Sequence, residues 1–420
     1  MTTATMETHQ GINRQRLFIL SCVALTVTSM TFAIRAGMLN NLGSDFGLNK
    51  EQLGWIASMA FFGFPAATVL GGLLYNYLGP KKIMYLAFLG HMIGLIMTIF
   101  SGGFWGLMIS TFFVGFANGS VEAGANPLIA DLYHENKTTM LNKFHVWFPG
   151  GLVIGGLLSL AIKHFFGSSG STWQLEIAVI IIPTLIYGWL VFTTKFPDIQ
   201  EDTTLKTDTW ENLKSLINPL FIFMCVLMVF TATTELGPNQ MIAVLLQQTE
   251  SSGLMALVLI STIMAFGRYF AGPLVHAINP VGVLLFSAIV ATIGMYLFSI
   301  ADGQMVYVAA VVFAVGICYF WPTMVGFVSE YLPQTGALGL SVIGGAGMLG
   351  SGLIIPIIGG WLDAEEARLA AAGLAEDVVK ADAGQNVIID HIIFFPLIAL
   401  TFCLLLFAMR KQIASGGNHD

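Results

Sequence analysis

Charge is what this sequence has least of. Only 10% of its 420 residues are Asp, Glu, Lys or Arg, against about 25% in soluble domains. The chain is 56% hydrophobic with a mean hydropathy of +0.79, which excludes a soluble enzyme of this length. Cysteine is scarce too. Cys22, Cys225, Cys318 and Cys403 lie singly in apolar runs without metal-like spacing, and they read as packing thiols. There is no HExxH, GxSxG, phosphate-cradling loop or CxxC pair, so nothing supports an enzyme, a cofactor, a metal centre or an ATP-driven pump. The net charge of −7 comes largely from two loops and does not suggest nucleic acid as a partner.

Gly (46) and Phe (32) are abundant, as polytopic helical membrane proteins allow. A helix needs about 20 apolar residues to cross a bilayer. That length predicts twelve spans: 17–42, 51–78, 82–101, 104–132, 140–166, 173–194, 216–247, 253–277, 280–301, 304–331, 335–362 and 387–410. Short turns such as Leu78-Gly79-Pro80 and Ile278-Asn279-Pro280 separate them. The first span has Arg14 and Arg16 in front of it, as a signal peptide would. It runs too far and lacks a small-residue cleavage site, so it reads as a transmembrane helix. Residues 195–215 form a charged linker between a bundle over 1–194 and a second over 216–420. Residues 363–386 are Ala-rich and acidic, with room for a short surface helix. With both termini inside, eleven Lys and Arg fall in inner segments and four in outer ones, which predicts cytoplasmic termini.

The expectation for function centres on Gly115 to Gly151. Glu122 lies within the fourth span, and a charge in hydrocarbon costs at least ~2.5–3.5 kcal/mol, so it needs a partner or a wet space. Asn118, Glu122 and Asn126 recur every four residues on one helical face. His145 and Trp147 follow one span later. An offset of 200 residues carries Gly72…Gly79-Pro80 onto Gly272…Asn279-Pro280, and Arg35-Ala36-Gly37 onto Glu235-Leu236-Gly237. Weak symmetry between six-helix halves is the mark of transporters built from repeats, with the site near the midplane. It predicts Arg35 and Glu235 facing one central cavity, with Glu122 a competing partner for Arg35. Arg268, Asp131 and Glu330 are read as gate or surface pairs at cytoplasmic ends. Asn118, Asn126, Asn239 and Gln240 offer amides to hydroxyls, and Trp321, at the repeat position next to that of Glu122, offers an aromatic face.

These residues resemble the major facilitator superfamily, an all-α membrane fold of two pseudo-symmetric six-helix bundles. Gly72, Gly79, Lys81 and Lys82 fit its loop between spans two and three, although Asn76 replaces the acid and Tyr77 the Arg. Within that superfamily the chain is similar to the fucose/glucose/galactose–proton symporter branch. Glu122…Asn126-Pro127, Leu141-Asn142…His145…Gly150-Gly151, Thr234-Glu235-Leu236-Gly237 and Thr335-Gly336-Ala337-Leu338-Gly339 carry the likeness. Phe148 and the stretch Gln240-Met241 depart from it. The resemblance implies a monomeric carrier of a bacterial inner (plasma) membrane, moving a neutral monosaccharide inward with a proton by alternating access. Glu122 is then the proton-coupling carboxylate, and Arg35, Glu235 and His145 share in the coupling. The substrate is read by Asn118, Glu122, Asn126, His145, Trp147, Glu235, Asn239, Gln240 and Trp321. Three rivals stand beside this: a Na⁺-coupled sugar carrier, an exporter or flippase of amphipathic molecules, and a membrane receptor that transports nothing.

Overall fold

A computed structural model describes residues 12–133, 137–167, 172–197, 213–246 and 250–416. All regular structure among them is helical. The helices are α1 (Arg14–Phe46), α2 (Lys50–Ile99), α3 (Phe104–Leu132), α4 (Lys137–His145), α5 (Trp147–Phe166), α6 (Thr172–Thr193) and α7 (Pro219–Leu245). There follow α8 (Glu250–Tyr269), α9 (Ala271–Ile300), α10 (Met305–Ile317), α11 (Phe320–Tyr331), α12 (Gly336–Ala371), α13 (Glu376–Val387) and α14 (Phe394–Gly416). Among the described residues eleven helical segments are long and apolar enough to cross a membrane, and Gly253–Tyr269 adds a shorter apolar one. The linker residues 198–212 lie outside the described set, as does the side chain of Asn76.

Several ends are set by local chemistry. The Asn13 side chain accepts from the Arg16 N–H and opens α1, and Gly47 closes it at φ 62°. Asn49 and Gln52 form a reciprocal capping box at the start of α2. Gly79, at φ 73°, bends α2 just before Pro80. Asn279, at φ 55°, bends α9 just before Pro280 and is the one positive-φ residue other than glycine among those described. The 200-residue offset therefore holds in the backbone at these two turns.

Three expected spans are broken rather than continuous: 140–166 at Val146, 253–277 at Phe270 and 304–331 at Cys318-Tyr319. A proline follows each break by three or four residues and contributes to it, although Pro127 and Pro356 are held inside continuous helices. The proline ring clashes with the carbonyl four residues earlier and cannot donate to it. Pro149, Pro273 and Pro322 place that clash at His145 and Tyr269, the last residues of α4 and α8, and at Cys318, the C-cap of α10. In the acidic stretch 363–386 the expected short helix is present, and only the end of the preceding span differs. α12 runs on to Ala371, and a separate helix, α13, follows.

Large apolar side chains such as Phe100, Trp105, Ile182 and Trp189 stand exposed around the outside. Such a surface suits lipid and not water. Inside, glycine allows backbones to touch. A Cβ on Gly115 would lie 2.2 Å from the Ala60 carbonyl oxygen, joining α2 to α3. A Cβ on Gly54 would lie 2.5 Å from the Pro356 Cα, joining α2 to α12. Along that second seam Ser58 Oγ donates to the Gly352 carbonyl at 2.5 Å, the same carbonyl that Pro356 leaves without its helical partner. At the end of the seam Asp363 accepts from the backbone N–H groups of Lys50 (3.0 Å) and Glu51 (2.9 Å), which caps α2 from α12.

Candidate functional site

Glu122 and Asn126 stand one turn apart on α3, and the end of α4 brings His145 against them. Asn126 Nδ2 donates to Glu122 Oε2 at 2.5 Å. His145 Nε2 donates to Asn126 Oδ1 at 3.2 Å and lies 4.0 Å from Glu122 Oε2. His145 is held there because Pro149 ends α4 on it. Glu122 and His145 keep partial access, at 12% and 25% of their side-chain surface. Asn126 is partly open as well, whereas Arg35, Asn118, Glu235, Asn239, Gln240 and Arg268 are buried.

Glu235 is placed differently from expectation. Its carboxylate is paired with Arg268, Nη2 to Oε1 at 3.0 Å, and not with Arg35. Arg268 is accordingly no surface group. It is buried, and its Nε donates to the Cys318 carbonyl at 2.9 Å. That carbonyl is free because Pro322 cannot donate to it. The proline break thus positions the arginine, and the arginine holds the glutamate. α8 also packs against α4, so the two clusters stand on neighbouring helices.

Arg35 meets Gln240 instead, Nη2 to Oε1 at 3.0 Å, with its guanidinium 4.7 Å above the Phe32 ring. Helical geometry explains the exchange of partners. Glu235 and Gln240 are five residues apart on α7, and at about 100° per residue they point roughly 140° apart. When Gln240 faces α1, Glu235 turns toward α8. Gln240 also donates to the Phe32 carbonyl at 3.4 Å. Glu122 is not a partner of Arg35 either.

Asn118 lies one turn from Glu122 but belongs to another network. Its Nδ2 donates to Thr31 Oγ1 (3.1 Å), and its Oδ1 accepts from His91 Nε2 (2.8 Å). His91 Nδ1 then accepts from the Tyr187 hydroxyl at 2.7 Å. All four side chains are buried, and the chain ties α1, α2, α3 and α6 together. Asn239 is buried with Oδ1 unpartnered. Trp147 is half-exposed at the start of α5, and its carbonyl accepts from Ser29 Oγ at 3.3 Å. Trp321 is partly buried beside Gly344 of α12. Sequence reasoning missed His91 and Glu176, the latter buried and accepting from Ser159 Oγ. Both are ionisable residues inside apolar spans, which was the available signal.

The family model described as Major Facilitator Superfamily matches residues 17–355. The chain belongs to that superfamily. It is a multi-pass membrane protein, and its fold is that of solved transporters. A bacterial homologue of the human lysosomal transporter Spinster, inward-facing and unoccupied, superposes with a TM-score of 0.76 at 16% identity, covering 95% of this chain and 98% of that one. A D-xylose–proton symporter gives 0.72 at 14% identity, with 90% and 96% covered. At these identities the likeness shows the fold alone. Among curated relatives, the Bacillus subtilis protein described as a putative niacin/nicotinamide transporter is 24% identical over 215 residues, 50% of this chain and 52% of that one. The chain thus matches about half of that relative's length.

Proposed function

We propose that this superfamily member carries a small, sugar-class solute inward together with a proton, by alternating access, with both termini in the cytoplasm. The observation that carries the proposal is the Glu122–Asn126–His145 cluster. Proton coupling needs a membrane carboxylate that can change partners and reach water. Glu235 has its counter-charge built in, with a guanidinium at 3.0 Å. Glu122 has an amide and a histidine around it and retains access. Of the two carboxylates first assigned to coupling, Glu122 fits the role and Glu235 fits a fixed support. The amides of Asn126, Asn239 and Gln240 supply hydroxyl-reading groups, which suit a sugar.

The test is uptake into proteoliposomes of labelled monosaccharides under an imposed pH gradient, with Na⁺ replaced by choline at fixed pH. Uphill uptake that follows the proton gradient and survives choline supports the proposal. Uptake that stops in choline, or no accumulation under any ion gradient, overturns it.

A further inference from the structure

Arg35 is a cation without an anion. It is buried, at 3% of its surface. Its polar contact is with a neutral amide, Gln240, and its Nε has no partner. Among the described residues no carboxylate is paired with it. Glu235 is taken by Arg268, and Glu176 accepts from Ser159. Glu122 is out of reach. α1 and α3 run antiparallel and are pinned by the Thr31–Asn118 bond. Arg35 lies four residues beyond Thr31 and Glu122 four beyond Asn118, in opposite directions along the axis. At 1.5 Å per residue that separates them by about 12 Å.

A buried charge is expensive, and one amide oxygen with an aromatic face offsets only part of the cost. Guanidinium carries five N–H donors in a fork that fits a carboxylate bidentately. Arg35 also borders a small pocket among α1, α2, α3 and α6, where Thr31, Thr98 and Thr111 bring hydroxyls; it has room for a water and not for a sugar ring. Its position adds a second point. The Arg35–Gln240 bond joins α1 to α7, and one turn further Asn40 Nδ2 donates to the Ala243 carbonyl of α7 at 3.3 Å. This is a contact between the first six spans and the last six. Alternating access must open it and close it again, so the guanidinium is wet in one state and stripped of water in the other.

We propose that the solute itself brings the missing charge: it carries one carboxylate, received by Arg35 with Gln240 alongside, and is an acidic monosaccharide of the hexuronate kind, not a neutral hexose. This rests on the sugar-class, proton-coupled function above and narrows its cargo. Closure over a loaded carboxylate leaves a neutral pair buried, whereas closure over an empty site leaves a bare cation. The arrangement therefore favours the transition when cargo is present. One proton carried with one monoanion also moves no net charge.

The experiment has two arms on the purified full-length protein. In the first, melting temperature is measured with D-glucuronate, D-galacturonate, D-glucose, D-galactose and, as a carboxylate without a sugar, benzoate. Stabilisation by the uronates and not by the hexoses is expected. Arg35→Gln should weaken uronate binding by about 10- to 100-fold, the worth of a charge-assisted hydrogen bond, while Arg35→Lys keeps part of it. Stabilisation by the hexoses alone, or by none of the sugars, overturns the inference. Stabilisation by benzoate as strongly as by uronates leaves Arg35 as the carboxylate site and removes the sugar class from the function proposed above. Equal loss for every ligand in Arg35→Gln reduces the residue to an interhelical tie and also overturns the inference. In the second arm, proteoliposomes receive a potassium diffusion potential at equal pH on both sides. Uronate uptake should not respond to the potential but should respond to a pH gradient. Uptake driven by the potential overturns the charge assignment while leaving proton coupling intact.

Discussion

Glu235 and Arg268 give the sharpest quantitative consequence of the structure. Both side chains are nearly fully buried and 3.0 Å apart. Removing one partner of such a pair strands the other charge and costs about 3–5 kcal/mol, whereas replacing both is far cheaper. Glu235→Gln and Arg268→Gln should therefore each destabilise strongly. The double variant should recover most of the loss, short by the hydrogen bond from Arg268 to the Cys318 carbonyl, worth about 1–3 kcal/mol as a buried acceptor left unpaired. Unfolding entropy of about 2.1 cal/mol/K per residue implies that each kcal/mol moves the Tm of a chain this long by roughly 1 °C. Single variants should then melt about 3–5 °C lower and the double variant only about 1–3 °C lower. The assay is tryptophan-fluorescence melting of the three variants in one detergent. A double variant whose loss equals the sum of the singles would refute the reasoning, because uncoupled residues add.

Gly54→Ala and Gly115→Ala should separate closure from folding. A methyl at Gly54 meets the Pro356 backbone across the seam between α2 and α12. Transport should fall at least tenfold with little change in Tm, read by uptake and melting on the same sample. The methyl at Gly115 meets Ala60 backbone within the first six spans and should lower stability by about 1–3 kcal/mol through overpacking. Asp363→Ala removes the carboxylate that caps α2 from α12. The loss of about 1 kcal/mol should shift the closed-to-open ratio at that end roughly fivefold, measured as faster thiol labelling of a cysteine placed at Asn40.

The helical membrane fold was legible because its cause is composition: too little charge for water, and apolar runs of the right length. Glu122, Asn126 and His145 were legible as a set because a four-residue period and one turn fix them together. Partners across helices were not. Arg35 and Glu235 match by repeat position, yet pairing depends on which way α7 is rotated, and the five-residue step from Glu235 to Gln240 decides it. Arg268 was misplaced because the span holding it was taken as running on to Ala277, when Pro273 ends the helix at Tyr269. The hold on Arg268 was in the sequence all the same, as Pro322 and the carbonyl it frees four residues earlier. Asn118 shares a face with Glu122, but a face several turns long can serve a bundle interior at one point and an accessible site at another.

The central claim is that Glu122 carries the proton. It is tested most directly by recording proton movement with a pH electrode when substrate is added to unbuffered proteoliposomes, for wild type and for Glu122→Gln, alongside exchange of labelled against unlabelled substrate. The account predicts substrate-dependent proton entry in wild type, none in Glu122→Gln, and exchange retained in both. Proton entry of wild-type size in Glu122→Gln would contradict it.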